Sequence, residues 1–432
     1  MKLLVLHIPN TLNYGSMMMA ENLFFYLSRE LAQQDLELVI ATPRPEESGA
    51  RLRKALQPVI DHLKINTVEP QKIYRGSKLE KALALLLGVG VHRVLSPLAL
   101  SVDGVVVLGG DDFSEGYGYI GPLLELLMFR AFVRSGIDVA MCGQTIGPFY
   151  SWRRPLFRHL LARVTEITAR DPITYQYLCD QFKLKNVSLG ADLAFLPLAG
   201  EKEAGVIVQQ DNCCSGFLPL TGEKEDQEIR LNQPYFTIVP SELLWKYARD
   251  QQRSDYINFL TDLAVKLLKK FSDCQLLILP HVVTADSDDD RLAGRDLYIN
   301  LKRQGIARSQ MVFLRGELLP CQARQLLRSS RFVITGRMHA AISSFACGVP
   351  ALSLSYSRKY WGIIGEYLGM KELIIDVRDQ SWSDIGDIAL NRIDYINDHY
   401  EEIAAGINNT VPKMQDMAMQ SIRGIGLVDH IF

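Results

Sequence analysis

No CxxC pair occurs in the chain, and its seven cysteines are scattered apart from the adjacent Cys213 and Cys214. That spacing excludes an ordinary zinc ribbon or a disulfide framework and fits a reducing compartment. A surplus of one charge sign is also missing. With 47 basic against 49 acidic residues the formal net charge is -2, so no overall field selects nucleic acid or an anionic membrane as partner. Long uninterrupted hydrophobic runs are absent too. The longest apolar passage, residues 82 to 102, contains His92, Arg93 and Pro97 and makes a poor membrane span. It reads as a helix buried in the first domain, although Lys78, Lys81 and Arg93 around its leucines would also suit a membrane surface. At the N-terminus, LLVLHI gives way at once to polar and turn residues, which predicts a first strand rather than a signal segment.

What is present is a rhythm. Apolar runs such as LELVIA, GVVVLGG and VAMCGQ alternate with helical periodicity in the first half, and YFTIVP, QLLILP, FVIT and ALSLSY do so in the second. This is the βα alternation of parallel sheets, and 432 residues suffice for two cores. The expectation is an α/β protein of two Rossmann-like domains facing a cleft, with an N-terminal domain over 1–200, a C-terminal domain over 201–380 and a helical tail over 381–432 that packs back on the first domain. Residues 211–233 lack periodicity and are expected to be a long loop or lid. The run ADSDDDR at 285–291 has clustered aspartates but neither the glycine nor the distal glutamate of a calcium loop. It is expected to be a solvated loop with helix-capping aspartates, and no metal site is expected.

The most informative stretch is FVITGRMHAAISSFACGVPALSLSYSRK. A short buried strand ends at Gly336, a small-residue helix follows, and Arg337 and His339 fall between them, where α/β proteins receive anionic ligands. Arg337 offers a planar fork to carboxylate or phosphate. His339 is the side chain best suited to exchange a proton near neutrality. The plain structural alternative is a histidine that only caps backbone or fills the core.

Other strand ends carry further candidates. Asn13, Tyr14 and Gly15 follow the first strand. GGDDF brings Asp111 and Asp112, either of which could accept a proton from a sugar hydroxyl or simply cap a helix. Gln144 could bond a polyhydroxylated ligand from the rim of its strand. Arg170 reads as a second anion anchor, against the alternative of a surface pair with Asp171.

Taken in order, NYGS, GGDDF, GQTIGP, ITARD, GADLAF and ITGRMHAAISSFACGVPALSLSYSRK resemble the polysaccharide pyruvyl transferase family over nearly the full length. The Arg-x-His step followed by GVP and Tyr-x-x-Lys is the most specific part. Met338 stands where the family usually has leucine, a swap of similar volume, and GGDD departs from a triple glycine. The resemblance implies a GT-B-like fold and transfer of the pyruvyl group of phosphoenolpyruvate to a sugar as a ketal, with no cofactor beyond that co-substrate. It implies Arg337, His339, Gly336, Met338, Tyr356 and Lys359 at the donor, with Arg170 beside them. Asn13, Tyr14, Gly15 and Gln144 would serve the acceptor, and Asp111 or Asp112 would take its proton. A cytoplasmic enzyme is expected, held peripherally at the inner membrane face if its acceptor is lipid-linked. The competing readings are a GT-B glycosyltransferase using a nucleotide sugar and a non-catalytic binder of an anionic ligand.

Overall fold

A computed structural model of the chain describes residues 1–8, 10–31, 35–57, 63–75, 94–115, 118–201, 231, 233–284 and 287–425. Most of the apolar passage 82–102 and nearly all of the expected lid 211–233 lie outside the described residues. The chain divides into two compact units, both discontinuous. Unit 1 consists of Met1–Thr11, Ser16–Ala199 and Pro412–Phe432, and unit 2 of Leu12–Gly15 and Gly200–Val411. The tail expected as one piece is therefore shared. Its helices are Trp382–Asp398 and Tyr400–Arg423, and the second is divided at Pro412.

Unit 1 carries a seven-stranded parallel sheet of β1 (Lys2–Leu6), β2 (Leu36–Ala41), β3 (Leu63–Val68), β4 (Gly104–Leu108), β5 (Asp138–Gln144), β6 (Glu166–Ala169) and β7 (Val187–Leu189). The spatial order is β3-β2-β1-β4-β5-β6-β7. All five residues of β4, GVVVL, are buried, as expected for a parallel strand covered on both faces. Helices α1 (Tyr14–Glu30), α2 (Pro45–Ala55), α3 (Ile120–Arg134) and α4 (Arg154–Leu161) contribute apolar side chains, and Phe113, Phe129, Phe132, Phe149 and Phe157 meet in the core of this unit.

Unit 2 repeats the scheme with six parallel strands, β8 (Tyr235–Val239), β9 (Gln275–Ile278), β10 (Met311–Phe313), β11 (Val333–Thr335), β12 (Ala351–Ser355) and β13 (Ile374–Asp376), in the order β10-β9-β8-β11-β12-β13. Helices α5 (Arg253–Lys270), α6 (Asp290–Arg303), α7 (Pro320–Arg328) and α8 (Met338–Phe345) connect them. In each sheet the order reverses once, between β1 and β4 and between β8 and β11. The crevice beyond the carboxyl ends of such a pair is the preferred ligand position of open α/β sheets.

Candidate functional site

In unit 2 the carboxyl end of β11 runs into Gly336, Arg337 and then α8. Thr335 fixes this turn, because its Oγ1 accepts from the Arg337 amide at 2.9 Å and donates to the Arg337 carbonyl at 3.1 Å. The Tyr360 hydroxyl donates to the Gly336 carbonyl at 2.9 Å. A Cβ at Gly336 would meet Ser241 at 2.9 Å and Leu244 at 3.0 Å, so only glycine fits without displacement. Met338 is buried in the first turn of α8.

The guanidinium of Arg337 is already engaged. Its Nη2 donates to Asp290 Oδ1 at 2.6 Å and its Nε to Oδ2 at 3.0 Å, while Nη2 also reaches the Asp288 carbonyl at 3.3 Å. Asp290 is fully buried and further accepts from the amides of Glu242 and Val282, each at 2.9 Å. Burial opposes the charge on Arg337, and Asp290 more than offsets it, so the guanidinium is held above its ordinary range. The expectation of a fully open fork is thus corrected. One edge is spent on Asp290, and the Nη1 corner takes no part in these bonds. The solvated loop expected at 285–291 is corrected as well: Asp289 does cap α6, but Asp290 is the inner partner of Arg337.

His339 sits in the same first turn of α8, against the segment Leu12–Gly15. Asn13 Oδ1 accepts from the Gly15 amide at 3.1 Å. A Cβ at Gly15 would stand 2.3 Å from Nδ1 of His339. Tyr14, fully buried, donates its amide to the His281 carbonyl at 3.1 Å, and its ring meets the His281 ring edge-on at 5.3 Å. The Leu318 amide donates to its hydroxyl at 2.8 Å. Asn13 forms an isolated bridge with Val282. The expected acceptor role of Tyr14 is corrected on burial, and the whole Asn13–Gly15 turn belongs with His339 in unit 2. His281, missed from the sequence, is lowered well below the usual imidazole range by burial first and then by the charges of His339, Arg337 and Arg324. It stays neutral. Beyond β12, Lys359 lies 5.2 Å from the ring centroid of Tyr356, which stacks on Tyr247 at 4.6 Å.

Unit 1 has its own cluster at its switch point. His7 follows β1 with φ +66, a strained conformation for a residue with a Cβ. Its Nδ1 stands 3.5 Å from Asp112 Oδ2 and its Nε2 3.0 Å from Glu125 Oε2. Its ring stacks on Phe113 at 5.3 Å. Burial alone would lower its pKa, but hydrogen bonds and charge from Asp112 and Glu125 outweigh burial and raise it to about 9. His7 is therefore a shielded cation between two carboxylates that remain open to solvent, Asp112 being 63% exposed. The sequence hid it, because a histidine closing LLVLHI reads as one more strand residue. Asp111 supplies its carbonyl to the Ser114 hydroxyl at 3.4 Å.

Two other expectations do not hold in unit 1. Gln144 is fully buried, and its Nε2 donates to the carbonyls of Val107 and Leu108, both at 3.0 Å, tying β5 to β4 rather than facing a ligand. Arg170 is 1% exposed and spends Nη1 on Asp192 at 2.9 Å and Nε on Thr145 Oγ1 at 2.8 Å. It is neither an open anion fork nor a surface partner of Asp171, which instead accepts from the Thr174 amide at 2.8 Å as a helix cap. Among the described residues, no group of three or more His, Cys, Asp or Glu side chains is placed to hold a metal ion.

Two parallel α/β sheets, each with ligand-type residues at its switch point, define a GT-B-like protein. The fold is shared with the UDP complex of MnaA from S. aureus, at a TM-score of 0.60 and 11% identity over 100% of this chain and 97% of that one. It is also shared with the UDP-GlcNAc 2-epimerase of Neisseria meningitidis bound to UDP-GlcNAc, at 0.56 and 12% over 98% and 99%. At such identities these likenesses speak for the fold alone. Residues 13–358 match the model of the polysaccharide pyruvyl transferase family, and the chain belongs to that family. It is also 23% identical to the amylovoran biosynthesis protein AmsJ of Erwinia amylovora, over 89% of each chain.

Proposed function

We propose that the chain transfers the pyruvyl group of phosphoenolpyruvate to a saccharide as a cyclic ketal and releases phosphate. The observation that carries this reading is the pairing of Arg337 and His339 in one turn at the carboxyl end of β11, inside the stretch that matches the family. Phosphoenolpyruvate brings a carboxylate and a phosphate on a three-carbon frame. The Nη1 corner of Arg337, the Lys359 ammonium and the positive end of the α8 dipole supply positive charge to hold them. Two sugar hydroxyls add to C2 of the donor, C3 gains a proton, and the bond from C2 to the phosphate oxygen breaks. Of the two hydroxyl hydrogens, one ends in the new methyl group and the other on phosphate. His339 serves as the acid on the donor side.

On the acceptor side Asp112 is the better suited of the two aspartates, because its carboxylate is exposed and stands 3.5 Å from the His7 imidazole. The cationic side chains neutralise the donor without a metal, so turnover continues in a chelator. Saccharide recognition is assigned to unit 1, and a lipid-linked saccharide is among its acceptors.

The test is incubation with phosphoenolpyruvate and a panel of free polymer, lipid-linked saccharide and small glycosides, following phosphate release and the new methyl singlet by proton NMR. Thermal stabilisation by UDP-sugars with none by phosphoenolpyruvate would favour the nucleotide-sugar alternative. Donor binding without phosphate release from any acceptor would leave a non-catalytic binder.

A further inference from the structure

Among the described residues eight large apolar side chains are exposed, and six of them, Tyr119, Ile120, Leu124, Tyr150, Trp152 and Leu156, come from one stretch of unit 1. Trp152 is 79% exposed, and Ile120 and Tyr150 are each 60% exposed. Such a concentration is unusual on a surface that meets only water. The side chains come from the loop after β4 with the start of α3, and from the loop after β5 with α4. Both pieces share one face, because α3 packs on α4 and the Arg153 guanidinium lies 4.1 Å above the Tyr119 ring and 6.0 Å from that of Trp152.

Charge on this stretch is one-sided. Residues 119–164 hold six arginines against Glu125 and Asp138, in a chain whose net charge is -2. Both acids have partners, Glu125 in His7 and Asp138 in the Thr165 hydroxyl. The Arg153 charge is met by Glu115. Three of the other arginines crowd one another: Arg130 is lowered by burial and then by Arg134 and Arg163, and Arg163 and Arg130 also disfavour the charged form of His159 beside them, after burial. Aromatic and aliphatic tips beside a self-repelling basic patch call for a partner that takes up apolar rings at shallow depth and supplies spread-out negative charge. An interface of aromatic side chains and arginine with acidic headgroups has that chemistry.

We propose that this face of unit 1 docks on the surface of an anionic bilayer, with Trp152, Tyr150 and Ile120 entering the interfacial layer and the arginines of α3 and α4 reaching the headgroups. No helix among the described residues is long and apolar enough to cross a membrane, so the attachment is peripheral and reversible. The docking face follows β4 and β5, the strands whose carboxyl ends lead into Asp111, Asp112 and Gln144. A consequence that rests on the pyruvyl-transfer reading is that the acceptor is a saccharide carried on a lipid.

The test is co-sedimentation of the full chain with vesicles of phosphatidylcholine alone or with about one-third phosphatidylglycerol, together with tryptophan fluorescence. Binding is expected only to the anionic vesicles, with a blue shift of emission and a fall as salt rises. Trp152→Ser combined with Ile120→Ser is expected to lower partitioning about tenfold or more and abolish the shift. Arg158→Glu combined with Arg163→Glu is expected to lower it at least as far. All four residues are on the surface, so melting temperatures should stay near that of the parent. Equal binding to neutral vesicles, no binding at low salt, or wild-type binding by both variants overturns the proposal. So does concentration-dependent self-association, measured by light scattering, that the Trp152 variant removes, since a second copy would then be the occupant. Phosphoenolpyruvate binding by calorimetry on the same preparations separates the two readings: vesicle binding without donor binding sinks pyruvyl transfer and leaves the docking face intact.

Discussion

Gly15 and His339 are fitted to each other: a Cβ on Gly15 would stand 2.3 Å from Nδ1 and 2.6 Å from Cγ of the imidazole. Contacts that short do not survive between real atoms, so alanine at 15 must displace the ring. Gly15→Ala is expected to cut turnover about a hundredfold while leaving phosphoenolpyruvate affinity within a few-fold, because the loss falls on a group that moves a proton. The stability cost of Gly15→Ala should fall in a His339→Ala background, where the ring is gone and only the residue-339 Cβ, 2.8 Å away, still crowds position 15. Thermal melts of both single variants and the double variant check this, and an unchanged cost in the double would deny the contact.

Arg337 and Asp290 lead to a different expectation. Arg337→Ala leaves a buried carboxylate with only backbone donors, which should cost about 3 to 5 kcal/mol of stability and weaken the donor by roughly 2 to 5 kcal/mol. Arg337→Lys should recover little of either, because an ammonium cannot span both Asp290 oxygens. Urea melts and calorimetry on the two variants test the pair. Unchanged donor affinity in a folded Arg337→Ala protein would remove this arginine from the donor site.

Arg170 should behave as a structural tie. Arg170→Ala strands the buried carboxylate of Asp192, and a loss of about 3 to 5 kcal/mol is expected. Arg170→Met with Asp192→Leu should recover much of it, since both charges then leave the interior together. A stable Arg170→Ala protein that had lost only donor affinity would reinstate the anion anchor.

The pH response of His7 has a definite sign. Its folded pKa is raised from 6.5 to about 9, so the stabilisation from Asp112 and Glu125 is fully present below about 6.5 while both carboxylates stay ionised, and is lost as pH rises through about 9. Since both carboxylates are partly exposed, the contribution is about 1 to 3 kcal/mol after screening. His7→Gln should therefore lie below the parent in stability at pH 6 and converge with it near pH 10, in urea melts at each pH. A pH-independent gap would mean that the imidazole acts only by packing on Phe113.

The strands were legible because parallel strands buried on both faces read as unbroken apolar runs, and the Arg337–His339 turn was legible because glycine and then small residues follow such a run. Partners distant in sequence were not. Arg170 suggested Asp171 by adjacency, yet its counter-charge is Asp192, and four aspartates in a polar run gave no sign that Asp290 turns inward to Arg337. His7 was hidden for a related reason: both of its carboxylate partners reach it only through the fold. The side on which Asn13–Gly15 lies could not be read either, since a turn that follows one strand can serve the neighbouring unit.

The division at Pro412 has a consequence for the order in which the chain becomes folded. Unit 2 closes by Val411, whereas unit 1 needs Pro412–Phe432. In unit 1 the Gln415 side chain donates to the Phe195 carbonyl at 3.1 Å, and a Cβ at Gly190 would meet Ser421 Oγ at 1.9 Å. During synthesis the N-terminal unit therefore gains the cover of the segment that starts at Pro412 only after its own sheet and all of unit 2 have been made. Truncation after residue 411 would accordingly harm the half of the protein that begins the chain, and a fragment ending at Ala199 would keep its strands but lack their final cover.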